Sequence, residues 1–143
     1  MLIDALAIIF TFGVIIFIHE LGHFLSGKAY GVKVEKFAFG FGPEIIGKTV
    51  GETRYAVCAV PLGGYVMFAG DEPDNKTGAP REFFSTAWYK RIVIVVAGPV
   101  MNYVLAIAFF FFTVYFTGIG VPSNEPLIGN IAQGMAAEKA GLM

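Results

Sequence analysis

The chain has 143 residues, of which 56% are hydrophobic and only 15% charged, with 15 phenylalanines and a net charge of −1. Its mean hydropathy of +0.68 argues against an ordinary soluble domain. The near-neutral charge gives no basis for a nucleic-acid partner, and the single cysteine, Cys58, rules out an intrachain disulfide and reads as a small buried hydrophobe.

The first element is an apolar run over 1–27, in which Asp4 is the only charge before Ile18. It lacks the basic n-region of a signal peptide, so the segment is expected to be retained. At about 1.5 Å per residue it crosses roughly the 30 Å hydrocarbon core of a bilayer. The run carries His19-Glu20-Leu21-Gly22-His23, an H-E-x-x-H pattern. On a helix, positions i and i+4 share a face, so His19 and His23 can turn ring nitrogens to one metal ion. Glu20 sits one residue on, where a carboxylate can take a proton from water at the open metal position. These are the requirements of catalytic zinc.

A lone histidine on an apolar helix is usually a packed core residue. Two histidines flanking a glutamate are harder to absorb that way. A charged group at mid-membrane costs about 2.5–3.5 kcal/mol on insertion scales. Structural zinc sites in small peptides return about 10–16 kcal/mol. A metal offsets the cost of this trio, and packing alone does not.

Residues 28–91 hold nine of the ten Lys and Arg, which by the positive-inside rule makes this loop cytoplasmic and both ends of the chain extracytoplasmic. Its front, 28–70, mixes Val, Phe, Thr and Tyr with charged residues and eight glycines. This predicts three or four short antiparallel strands, unusually apolar and therefore packed on the helices or dipping into the bilayer. Gly40-Phe41-Gly42 is no dinucleotide loop, because Ile45 stands where a third glycine is needed. The stretch Phe37 to Gly42 reads as an edge strand able to pair with an extended substrate by β-addition. A tight turn is the alternative. Residues 71–91 read as a charged, solvated linker followed by an interfacial helix, with Phe83, Phe84, Trp88 and Tyr89 beside Lys90 and Arg91.

A second uncharged membrane span covers 92–122 and contains Gly98-Pro99 and Asn102. Asn102 is a buried amide in lipid surroundings, read either as a substrate or oxyanion contact or as an interhelical hydrogen bond. Residues 123–143 resume soluble character with a strand, a small-residue turn and the start of a helix.

These features together resemble the site-2 protease family of intramembrane zinc metalloproteases, closest to the bacterial branch of regulator-of-sigma-E type that cleaves anti-sigma factors. The resemblance rests on Phe17 to Phe24 as the catalytic helix, and on Gly40 to Pro43 and Pro61 to Val66 as the membrane-associated β segment. Ala97 to Asn102 supplies a G-x-x-x-N helix, and 123–143 the start of an extracytoplasmic PDZ-like domain. It implies an α-helical membrane protein with two transmembrane helices and an intervening small antiparallel sheet. It further implies Zn2+ on His19 and His23, Glu20 as base, and Asn102, Gly40, Phe41 and Gly42 as substrate contacts. The expected partners are a transmembrane protein substrate and the lipid bilayer, in the bacterial inner membrane.

The family's third zinc ligand, an aspartate in an L-D-G motif, has no counterpart here. Asp4 is at the wrong end of its helix, and Asp71 and Asp74 lie in the polar linker. The chain is therefore expected to be the N-terminal portion of a longer protease, inactive alone. The alternatives are a non-catalytic membrane adaptor and a metal transporter. The latter would want further ionisable residues along a path, and the second span has none.

Overall fold

In a computed structural model, residues 1–72, 74, 76–120 and 139 are described. The expected PDZ-like start at 123–143 lies, apart from Lys139, outside the described residues. Four elements follow in order: α1 (Leu2–Ala29), β1 (Val34–Val50), β2 (Thr53–Phe68) and α2 (Trp88–Thr117). The chain divides into two units, Met1–Phe111 and Phe112–Met143. The second begins with the last turns of α2, where Gly118 takes a positive φ of 74° and its N–H donates to Val114 O at 2.9 Å.

Helices α1 and α2, of 28 and 30 residues, are each long and apolar enough to cross a bilayer. A helix of this kind in a soluble core would be covered. Here Phe10 is 73% exposed, Ile107 67% and Phe110 71%. Apolar surface this extensive on two long helices is what lipid covers.

One side of α1 carries Gly13, Phe17, Glu20, Phe24 and Gly27, a 4-3-4-3 spacing that keeps them in line. This stripe lies on the sheet. Phe17 meets the Phe37 and Phe39 rings edge-on, with centroids 5.7 and 6.1 Å away, and Phe24 meets Phe37 at 4.9 Å. A Cβ on Gly27 would come within 3.0 Å of Phe68 Cζ, so only glycine lets the helix approach this closely. Around the contact, Val32, Val34, Phe68 and Ile94 form a buried cluster, while Ala38, Ala56 and Cys58 form another.

The sheet corrects two expectations. Instead of three or four short strands, there are two of 17 and 16 residues, paired antiparallel and broken by register shifts. Gly40, Gly42 and Gly63, with φ of 86°, 82° and 148°, bend these strands without ending them. Glu44 to Val50 pairs with Thr53 to Cys58 across a two-residue turn, Gly51-Glu52, in which Gly51 has φ 62°.

The second correction concerns the edge. Phe37, Ala38 and Phe39 face Val66, Tyr65 and Gly64 on one side. On the other they lie beside Tyr55, Ala56 and Val57, with both residue numbers rising together. These residues are central, with their main-chain positions already flanked, and they cannot accept a substrate strand. The short apolar run looked terminal because Pro43 follows it. In space β1 turns at Gly40–Gly42 and returns along β2.

The charged linker is exposed at every described position from Glu72 to Arg81, and main-chain bonds close its base. Ala69 N–H donates to Lys33 O at 2.9 Å, Lys33 N–H to Arg81 O at 3.0 Å and Phe83 N–H to Ala69 O at 2.7 Å. Glu82 is buried, and its carboxylate accepts from the Thr77 hydroxyl at 2.6 Å and from the Thr77 and Gly78 amides. Those donors, the hydroxyl foremost, hold the carboxyl below the usual glutamate range. The interfacial helix is not separate either. Phe83 and Phe84 lie in turns, and Trp88 to Arg91 is the first turn of α2 itself.

Candidate active site

The histidines of α1 face α2. His19 and His23 lie one turn apart with ring centroids at 4.8 Å. Opposite them α2 presents Ile94, Gly98 and Asn102, which its own four-residue spacing puts on one side. Each has a distinct role. His23 Nδ1 is 2.8 Å from Ile94 O, a carbonyl that only accepts, so Nδ1 carries the proton and Nε2 keeps its lone pair. Gly98 lies where the two rings converge. A Cβ there would stand 2.7 Å from His19 Nε2 and 2.6 Å from His23 Cε1. Both Nε2 atoms thus border one space that the missing side chain leaves free.

Asn102 orients the other ring. Its Nδ2 is 3.2 Å from His19 Nδ1, and its Oδ1 is buried with no partner among the described residues. Turning the amide about its last bond puts the orphaned oxygen on the Nδ1–H of His19. This is the arrangement that frees Nε2 as an acceptor, as outer partners of metal-bound histidines do. The close approach has a local cause in Gly22. A Cβ there would come within 2.8 Å of Ala97 C and of Met101 Cγ.

Glu20 turns to the sheet side of the same turn. Its Cγ lies 3.5 Å from where a Cβ on Gly64 would stand. The base candidate therefore sits against β2, one residue on from His19. Gly40, Phe41 and Gly42 sit elsewhere, at the bend of the sheet. Gly40 is packed against the Cys58 and Val60 carbonyls, and Phe41, half exposed, stacks on Tyr65 at 6.2 Å.

The donor set fits a zinc-type ion: two neutral imidazole nitrogens, each oriented through its other nitrogen, beside a carboxylate. Among the described residues no third His, Cys, Asp or Glu completes a cluster. Sequence reasoning named His19, Glu20, His23 and Asn102 but missed Ile94 and gave Gly98 no role of its own. Gly98 entered only as the first position of the G-x-x-x-N pattern. The signal was its distance of four from Asn102, one helical turn, which sets a gap beside an amide.

Two long apolar helices flanking a two-stranded sheet are compatible with a membrane protein. Comparison with known proteins gives its lineage. The profile of Peptidase family M50 matches residues 7–140, and the chain belongs to that family, the site-2 proteases. A protein of Clostridium acetobutylicum named "putative zinc metalloprotease" is 43% identical over 134 residues, covering 94% of this chain and 38% of that protein. Proteins of the same description from Rhizobium meliloti and Rickettsia conorii are 42% and 38% identical over 148 residues. They are matched over 94% and 99% of this chain and 39% and 40% of their own lengths. The chain thus spans about two fifths of the length of these relatives.

Proposed function

We propose that the full-length protein hydrolyses peptide bonds within transmembrane segments of other membrane proteins, with anti-sigma factors as the substrate class. His19 and His23 hold Zn2+ with a third ligand from outside this chain, so the 143 residues alone are inactive. The observation that carries this reading is the convergence of two imidazole Nε2 atoms on the space over Gly98, on a helix apolar enough to span a bilayer. When bound, the metal supplies Lewis-acid polarisation of the scissile carbonyl and makes water more acidic.

The chain's own residues do the rest. Glu20, packed beside Gly64 of β2, is placed to remove the proton of the attacking water. Asn102 and the Ile94 carbonyl hold the two rings. Asn102 also offers its remaining amide hydrogens to the reacting carbonyl. Gly40, Phe41 and Gly42 seat the substrate at the bend of the sheet, where two positions bear no side chain and the Phe41 ring stands half exposed.

Full-length protein in vesicles is expected to cleave a single-span helical reporter. A chelator should stop the cleavage and added zinc restore it, and Phe41→Ala should raise KM with zinc content unchanged. Reporter binding without cleavage, at full zinc occupancy, would show a membrane adaptor instead. The charge bias supports a cytoplasmic placement of 28–91. With Cys58 removed, a membrane-impermeant thiol reagent on intact cells should label a cysteine at Asn124 and spare one at Asn75. The opposite pattern would invert the orientation.

A further inference from the structure

We propose that the cytoplasmic-loop end of α2 carries a binding site for an anionic glycerophospholipid, with Arg91 holding the headgroup phosphate. This goes beyond the protease reading and rests only on α2 crossing a bilayer. Of the three arginines in the chain, Arg54 is paired with Glu44 and Arg81 with Glu52. Arg91 has no carboxylate partner among the described residues. Its guanidinium stacks on the Phe84 ring at 5.5 Å, and its Nε is buried with no acceptor. A partly covered guanidinium without an anion is costly, and its fork of N–H groups matches the paired oxygens of a phosphate.

What lies next to it selects a lipid over a free anion. A groove of about 460 Å³, lined by Phe83, Trp88, Arg91, Ile92, Val95 and Val96, runs from the guanidinium along α2 toward the apolar span. A headgroup at Arg91 would lay an acyl chain into that groove, with Trp88 at the interface level that tryptophan favours. Lys90 is turned away, over the Tyr30 ring at 5.9 Å, so the site depends on one cation and not on a diffuse patch. Among the described residues no acidic group is placed at Arg91 to hold a choline, which favours an anionic headgroup over a zwitterionic one.

Trp88 is the only tryptophan of this chain and lies in the groove, so it reports on occupancy. Full-length protein with Trp88 as its only tryptophan would be placed in phosphatidylcholine vesicles. Brominated-chain phosphatidylglycerol or brominated-chain phosphatidylcholine is then titrated in, and quenching is recorded. The phosphatidylglycerol is expected to reach half-quenching at about fivefold lower mole fraction, the preference that one Arg contact to anionic lipid supplies. Arg91→Gln should abolish the preference and Lys90→Gln should keep it. Val95→Phe, at an exposed position where folding is not at stake, should also abolish it by filling the groove with the charge intact. Equal quenching by the two lipids would overturn the site, as would equal loss in the Arg91 and Lys90 variants. Full competition by inorganic phosphate would do the same, showing an anion contact without a lipid. Quenching by neither lipid would overturn the site and the membrane placement of α2 together.

Discussion

Glu20→Gln is expected to lower peptide hydrolysis by the full-length protein by about 10²–10⁴-fold, the usual contribution of a positioned acid–base group. The same variant should retain the metal. Glutamine keeps the size of the side chain and an accepting oxygen, so its packing beside Gly64 of the sheet survives. It has no basic oxygen to take a proton. The substitution therefore separates proton removal from folding and from metal binding. Zinc content and reporter affinity, measured beside the cleavage rate, make the separation visible. Cleavage at near wild-type rate would show that Glu20 is a structural clamp on the sheet and that the base lies elsewhere.

Gly98→Ala should have the second large effect, on metal affinity. The added methyl would stand 2.7 Å from His19 Nε2 and 2.6 Å from His23 Cε1, inside the distance at which carbon contacts turn repulsive. Both rings must swing away. His23 then strains its bond to Ile94 O and His19 its contact with Asn102. Disturbing a single outer partner of a metal ligand costs about 10–100-fold in affinity, and this change disturbs two ligands at once. Helix stability moves the other way, since alanine is favoured over glycine by about 0.8–1 kcal/mol in a helix interior. Loss of zinc with unchanged helix content is the expected pair of results, from metal analysis and circular dichroism. Wild-type zinc affinity in this variant would mean that the two Nε2 atoms do not share the space over Gly98.

The legible part of this fold was what depends on local periodicity. The i, i+4 relation of His19 and His23 needs only 3.6 residues per turn, and two spans need only uninterrupted apolar length. The sheet was harder because glycine has two meanings. The eight glycines from Gly31 to Gly70 read as punctuation of short strands, whereas Gly40, Gly42 and Gly63 are positive-φ bends within long ones. Pro43, just after Phe37 to Gly42, made that stretch look like an edge. Strand order is set by long-range pairing with Tyr55 to Val57 and Gly64 to Val66, which no local pattern encodes. The charged linker is exposed at its described positions from Glu72 to Arg81, but Glu82 at its end is buried by hydroxyl and amide donors that composition does not reveal. At the site, the side chains that carry chemistry were visible by type. Gly98 and the Ile94 carbonyl act through a missing side chain and a main-chain oxygen, and their effect appears only once the elements are packed.

The central claim is that His19 and His23 jointly hold zinc between α1 and α2. X-ray absorption at the zinc edge on the purified full-length protein tests it most directly. Two imidazole nitrogens at about 2.0–2.1 Å are predicted, with their scattering lost in the His19→Ala, His23→Ala double variant. A spectrum without imidazole scattering, or one that the double variant leaves unchanged, would contradict it.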